Sequence, residues 1–504
     1  MNKDKKNLWE NKWLVYFFNF CISLVVCGTY VFCKHFSTDD YTAIFYEEGW
    51  RTVSSSFRVP IAFLYYIFDD LLGYSTTTHQ MFFLLALIAI VALAITLMTK
   101  ETLHYIESPS FITFLLINGS FILMFENGFF SEWLWFAGGA LQWASCIICA
   151  VGAAIFLNHE DNRILNVLLG LGLLIFGTGS YQLCLVHFVY CYMILGFAKN
   201  KGVMNKHVFI DIVRTAMLTI ISFVINILLT KLAICLNLTY ATERVSHQRL
   251  HIRDFLSGLV STLNTVWIEG YRFFYKGFWV SVLVLFIIIC AYALIINKCH
   301  FNTVLYAFFV CISGTTVIWM SGYTQGTMAV TPRQCLYFIG IVTCIIIIPL
   351  CLPKKTSTKI GIAQSLILAA IIIYNSMIIQ ITAIDVMLTM KLDEQYFQQV
   401  YDKICEYEST TGKEISTVVV YYDSYPMNKY YNEMIMPVPG HIEVKSLYEF
   451  WSWRPAMNYY LNKQYVAGDI DNEIAEHFSQ QNWNKINLDE QMIFEGTTLH
   501  LCAY

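Results

Sequence analysis

Two adjacent carboxylates, Asp39 and Asp40, follow closely on the first long apolar run of the chain, and Arg51 and Arg58 come soon after them. A carboxylate that close to the end of a membrane span is partly desolvated and needs a reason to be there. In such a place it can take the proton of an attacking hydroxyl, while a guanidinium can stabilise charge that grows on a leaving phosphate. Asp39 and Asp40 are both candidates for the base, and the residues alone do not choose between them. Glu47 and Glu48 add to the charge of the same stretch. The plain alternative is a solvated loop, and it is the reading given to Glu243, Arg244, Arg249 and Arg253 in the loop 237–276.

Other groups suit the same chemistry. Glu126 emerges from an apolar run beside Asn127 and Gly128, where it can hold a sugar hydroxyl or, with the acid pair, a divalent cation such as Mg or Mn. Arg333 in "TPRQ" presents a permanently charged fork suited to a phosphate, although anchoring to lipid headgroups is an equal use. Lys231 is a weaker second cation, and Tyr181 with Gln182 offers an aromatic face and an amide to a sugar. A tyrosine at that depth also suits an interfacial belt.

The elements that must position these groups are read from composition. Of 504 residues, 57% are hydrophobic and only 13% charged, too apolar for an ordinary soluble surface. Apolar runs of membrane-crossing length fill residues 13–388, about eleven in all, so the chain reads as a polytopic α-helical membrane protein. The run 164–198 is too long for one span and is interrupted at "GTGSYQ", so it reads as two short crossings. That choice puts Lys100, Lys199, Lys201, Lys206, Lys298, Lys354, Lys355 and Lys359 on the side of the basic amino terminus, the cytoplasm. The acid pair, Glu126, Glu132, Arg333 and the carboxyl-terminal region then face outward. Between Arg58 and the second span, "VPIAFLYYIFDD" is too short to cross and reads as an amphipathic interfacial helix. No leader with a small-residue cleavage site is read, because the first run continues past Cys33 and is preceded by "MNKDKKNLWENK", as an uncleaved first span would be.

Residues 389–504 change character. A helix at 390–411, a buried strand "STVVVYYD", helices around "FWSWRPAMNYYL" and "NEIAEHF", and a closing hairpin "QMIFEGTTLHLCAY" describe a small α/β domain. Of the 16 cysteines only Cys405 and Cys502 belong to it, and an oxidising compartment would allow them to bridge. "CIIC" at Cys146 and Cys149 lies inside a span and reads as packing. Trp133 and Trp135 read as interface markers. The chain has no Walker loop, dinucleotide fingerprint or zinc spacing, which argues against a nucleotide-driven pump, and no nucleic-acid partner is expected.

"STDDYTAIFYEEGW" at the exit of the first span, Arg58, the interfacial segment and the later "GSYQ" resemble the serotype-converting O-antigen glucosyltransferases, multi-span enzymes of the GT-C class. The resemblance implies a GT-C-like membrane domain (1–388) with a catalytic loop (34–78), and a small periplasmic α/β domain (389–504). It implies a bacterial inner-membrane hexosyltransferase that moves glucose from undecaprenyl-phosphate-glucose to O-antigen, with inversion, so modifying lipopolysaccharide. The other readings are an O-antigen polymerase or ligase, and a secondary transporter. A transporter is disfavoured because most spans lack charges at mid-depth.

Overall fold

The computed structural model describes residues 8–45, 49–159, 163–240, 260, 263–270, 273–325, 333, 335–353, 357–422, 450–481 and 486–503. Glu47, Glu48, Glu243, Arg244, Arg249, Arg253, Lys354 and Lys355 lie outside these residues. Among the described residues, six helices are long and apolar enough to cross a membrane: α1 (Lys12–Phe32), α5 (Gln80–His104), α8 (Ala140–Asn158, preceded by a short turn from Ala137), α11 (Lys206–Cys235), α12 (Phe278–Ile296) and α15 (Thr358–Thr411). Further apolar helices accompany them: α6 (Phe111–Phe125), α9 (Arg163–Thr178), α10 (Cys184–Lys199), α13 (Phe301–Gln325) and α14 (Leu336–Ile347). Together they occupy the stretches read as spans from the sequence. The chain is a membrane protein.

Short helices lie between the long ones. They are α2 (Thr38–Phe45), α3 (Gly49–Ser54), α4 (Val59–Tyr65) and α7 (Phe130–Trp135). α4 has Pro60 in its first turn, where a missing amide hydrogen costs nothing, and it continues into a wider turn over Tyr66–Leu71. This is the interfacial segment, with Phe63 and Leu71 exposed and Ile61 buried. The run 164–198 breaks as the glycines suggest, α9 ending at Thr178 and α10 beginning at Cys184. At Gly179 any β-carbon would collide with the Asn226 amide and the Pro60 ring, so the residue lets α11 and α4 approach the turn.

One boundary differs from the sequence reading. The expected span 360–388 and the expected helix 390–411 are a single 54-residue helix, α15, capped by Ser357 and ended by Gly412 in the left-handed conformation. At about 1.5 Å per residue it is roughly 80 Å long, far more than a hydrocarbon core of about 30 Å. No proline and no glycine after Gly361 interrupts it, so nothing forces a break between its apolar and polar parts.

Beyond it, β1 (Thr417–Tyr422), α16 (Phe450–Leu461), β2 (Val466–Ala467), α17 (Asn472–Ser479), β3 (Met492–Glu495) and β4 (Thr498–Ala503) form a helix-covered sheet of order β2-β1-β4-β3. β1 runs parallel to both its neighbours, and β3–β4 is the expected hairpin, turned at Gly496. Cys405 and Cys502 are free thiols, the first exposed on α15 and the second buried on β4, so the considered bridge is not formed. Three cores result among the described residues. The largest fills the helix bundle, the second joins Tyr396, Phe397, Trp453, Leu499 and Leu501 with Phe36 and Tyr41 from the far end of the chain, and the smallest packs Ile474 and Phe478 of α17 against Val419 and Tyr421 of β1.

Candidate active site

α1 ends at Phe32, and His35 fixes the chain that leaves it. The His35 amide donates to Gln80 Oε1 (3.1 Å), Gln80 returns a bond to the His35 carbonyl, and the imidazole nitrogens stand 2.9 and 2.8 Å from the carbonyl oxygens of Cys33 and Leu134. α2 then opens with a capping box. The Ser37 amide and hydroxyl both donate to Asp40 Oδ2 at 2.8 Å, and the Asp40 amide donates back to Ser37 Oγ at 3.3 Å. Asp40 Oδ1 accepts a third bond, from the Gly138 amide at 2.9 Å. A β-carbon at residue 138 would stand 2.6 Å from that same oxygen, so only glycine allows the approach. The Gly138 carbonyl accepts from Tyr65 Oη at 2.7 Å, which ties α4 to the same turn.

The acid pair therefore divides. Asp40 is buried with both oxygens engaged; Asp39, on the next position of α2, is exposed. Burial pushes the Asp40 carboxyl up to about 7, against the three bonds it accepts and with the help of the Asp39 charge. Asp69, half-buried on the turn after α4, is likewise raised by burial, to about 6, against a bond from the Thr76 amide.

Facing this helix is a cluster built from four distant stretches. The Arg58 guanidinium lies 4.8 Å above the Tyr181 ring, at the "GSYQ" turn. The neighbouring Gln182 amide donates to the Ser56 carbonyl at 3.4 Å. Tyr181 is held edge-on by Trp143 and Trp133, which stack on each other at 4.6 Å. Arg333 donates through Nη1 to Glu132 Oε1 at 3.1 Å and through its backbone amide to Oε2 at 2.6 Å, and its guanidinium covers the Phe136 ring at 4.9 Å. Burial disfavours the Arg333 charge, but Glu132, Tyr181 and Asp39 around it more than offset that and raise its pKa. Burial likewise raises Glu132, against the pull of Arg333. The Arg333 and Tyr181 side chains also interact with each other, although Arg333 Nε and the Tyr181 hydroxyl are buried without a well-formed hydrogen bond. The site thus brings together Asp39, Asp40, Arg58, Tyr181, Gln182 and Arg333, with cationic and hydroxyl groups next to an exposed carboxylate.

Two residues read from the sequence stand apart. Lys231 is exposed on α11, away from these contacts. Glu126 turns toward α1, against Ser23 and Cys27, and both its oxygens are buried without a hydrogen bond; the Ser23 hydroxyl is committed to the Asn19 carbonyl. Among the described residues no three His, Cys, Asp or Glu side chains gather as a metal site, and no step is routed through a cation. Trp133 and Trp135 are not interface markers, being 0% and 3% exposed and packed inside the cluster. Sequence reasoning missed Glu132 as the counter-ion of Arg333, as well as Gly138, Tyr65 and His35. Only the capping box had a local signal, the serine three residues before Asp40.

No curated protein and no solved structure matches the chain. Residues 28–350 match the family described as glucosyl transferase GtrII, a stretch that holds the acid pair, the tyrosine turn and Arg333 and stops before α15. With well over half of its length inside that match, the chain belongs to the GtrII glucosyl transferase family.

Proposed function

We propose that this glucosyltransferase moves glucose from undecaprenyl-phosphate-glucose to a hydroxyl of O-antigen at the periplasmic face of the bacterial inner membrane, modifying lipopolysaccharide. The observation that carries the reading is the meeting of Asp39, Arg58, Tyr181 and Arg333 at one end of the helix bundle. Asp39 is the acid open to a substrate, so it takes the role of base, while Asp40 caps and anchors the helix that carries it. The acceptor oxygen attacks the anomeric carbon, its proton passes to Asp39, and the bond from that carbon to the phosphate oxygen breaks with its electron pair on the phosphate. Attack opposite the leaving group inverts the anomeric centre. Arg333 and Arg58 stabilise the charge left on the phosphate; Tyr181 and Gln182 face the sugar. The apolar helices leave the lipid tail in the bilayer.

Isolated membranes supplied with labelled undecaprenyl-phosphate-glucose and O-antigen acceptor should transfer the label. Transfer only of preassembled lipid-linked glycan would favour a polymerase or ligase and contradict the proposal. The face is tested separately by single cysteines at exposed positions: one at Lys201 should react from the cytoplasm, and one at Gly412 from the periplasm. Periplasmic labelling at Lys201 would reverse the assignment.

A further inference from the structure

The helix that carries Asp39 is short, and eight residues do not hold themselves in place. Its first turn is fastened on two sides to different parts of the molecule. On the bundle side, Asp40 is bonded to Gly138. On the other side, Phe36 and Tyr41, which flank the acid pair and are fully buried, belong to the core of the carboxyl-terminal unit. The Tyr41 hydroxyl meets the Tyr460 hydroxyl at 2.5 Å, and Tyr460 donates to the Met390 carbonyl on α15 at 3.2 Å. The Phe36 ring stands edge-on to Tyr459 at 4.8 Å, and the Lys34 ammonium lies over both rings. Tyr460 is itself stacked on Phe397 of α15.

We propose that the carboxyl-terminal unit is a positioning element of the transfer site, and that the Tyr41–Tyr460 contact sets where Asp39 stands relative to Arg333. Tyr460 touches no reacting group; it acts through α2. The inference rests on the reading of Asp39 as the base. It adds that residues beyond the region matched by the family control the rate of the chemical step. Donor binding, which falls to Arg58 and Arg333, is outside their control.

The test uses the full chain in membranes, with Tyr41→Phe and Tyr460→Phe made alone, together and on an Asp39→Asn background, and with kcat and donor KM read for each. A displacement of the base on the order of 1 Å costs up to about a hundredfold, so each phenylalanine variant should lower kcat by about ten- to a hundredfold and leave the donor KM unchanged. The pair should be no worse than Tyr460→Phe alone, because that variant already loses the Tyr41–Tyr460 contact. On the Asp39→Asn background neither substitution should lower the residual rate further. Tyr41→Phe keeps the proposal testable if Tyr460→Phe fails to accumulate, since Tyr460 retains its bond to Met390. A wild-type kcat in Tyr41→Phe, or a loss that persists without Asp39, overturns the positioning role. A wild-type rate in Asp39→Asn sinks the base assignment instead, and is read before any tyrosine variant.

Discussion

Polar side chains are buried in two regions of this protein, and they are buried in different ways. Within the bundle, Asn19 on α1 donates to Thr96 Oγ1 (3.0 Å) and Asn118 Oδ1 (3.1 Å), Asn118 donates back at 2.8 Å, and Thr99 closes the group onto Asn118 Oδ1 at 3.1 Å. These groups satisfy one another across three helices, as polar atoms away from water must. At the end of the bundle where α2 and α7 lie, Tyr181 is as deeply buried and Arg333 partly so, yet the Tyr181 hydroxyl and Arg333 Nε make no well-formed bond beside an exposed carboxylate. A closed network holds helices together. An open one leaves hydrogen-bonding capacity for a ligand, and the cost of that arrangement is met by surrounding packing.

The largest effect expected from this contrast is at the ion pair. Arg333→Met leaves Glu132 fully buried without its counter-ion, with only the backbone amide of residue 333 as partner, which should destabilise the protein by about 3–5 kcal/mol and stop transfer. Replacing both residues by methionine should restore the stability seen in thermal unfolding, because two apolar side chains suit a buried site. It should not restore activity. A double variant that recovers both would show that Arg333 serves packing alone.

Asn118→Leu is the matching change in the closed region. It removes both partners of the Asn19 amide group on α6 and should cost about 1–3 kcal/mol of stability, with kcat and donor KM of the folded fraction unchanged. A change in KM would mean that the bundle network reaches the site.

A subtler difference separates the two acids. The fold holds Asp40 at a pKa of about 7, above its ordinary 3.8, so the folded protein binds the extra proton between these values. Its stability contribution must therefore fall as pH rises through that window, with the loss complete above about pH 7. Asp40→Asn removes this slope while loosening the cap by about 1 kcal/mol. Thermal unfolding of both proteins from about pH 5 to about pH 8 checks it: parallel curves would contradict the buried placement of Asp40. Glu126→Gln should be nearly silent in stability and rate, because a carboxyl buried with no bond to either oxygen is held in its neutral form. A large loss of transfer there would return Glu126 to the site.

What could be read from the sequence was what local pattern controls. The apolar runs found their helices, the glycines of "GTGSYQ" found their turn, and the acid pair, Arg58, Tyr181, Gln182 and Arg333 were named before they were seen to meet. Non-local facts were out of reach. Nothing near Glu132 says that its counter-ion stands at position 333, and nothing near Phe36 or Tyr41 says that they are buried against α16. Trp133 and Trp135 were misread for the same reason: a tryptophan at a span end has the same local pattern whether it faces headgroups or a packed cluster. The unbroken α15 is hidden in the sequence by the change of composition at residue 389, which alters what the helix faces without ending it.

The central claim, that Asp39 takes the proton of the acceptor, is tested most directly by one comparison. Membranes carrying the wild-type chain and Asp39→Asn, matched for folded protein, are given labelled undecaprenyl-phosphate-glucose and acceptor, and the rate of label transfer is followed. The account predicts normal donor binding and a transfer rate lower by about a hundredfold or more in the variant, the usual scale for removing a general base. Transfer at the wild-type rate by Asp39→Asn would contradict it.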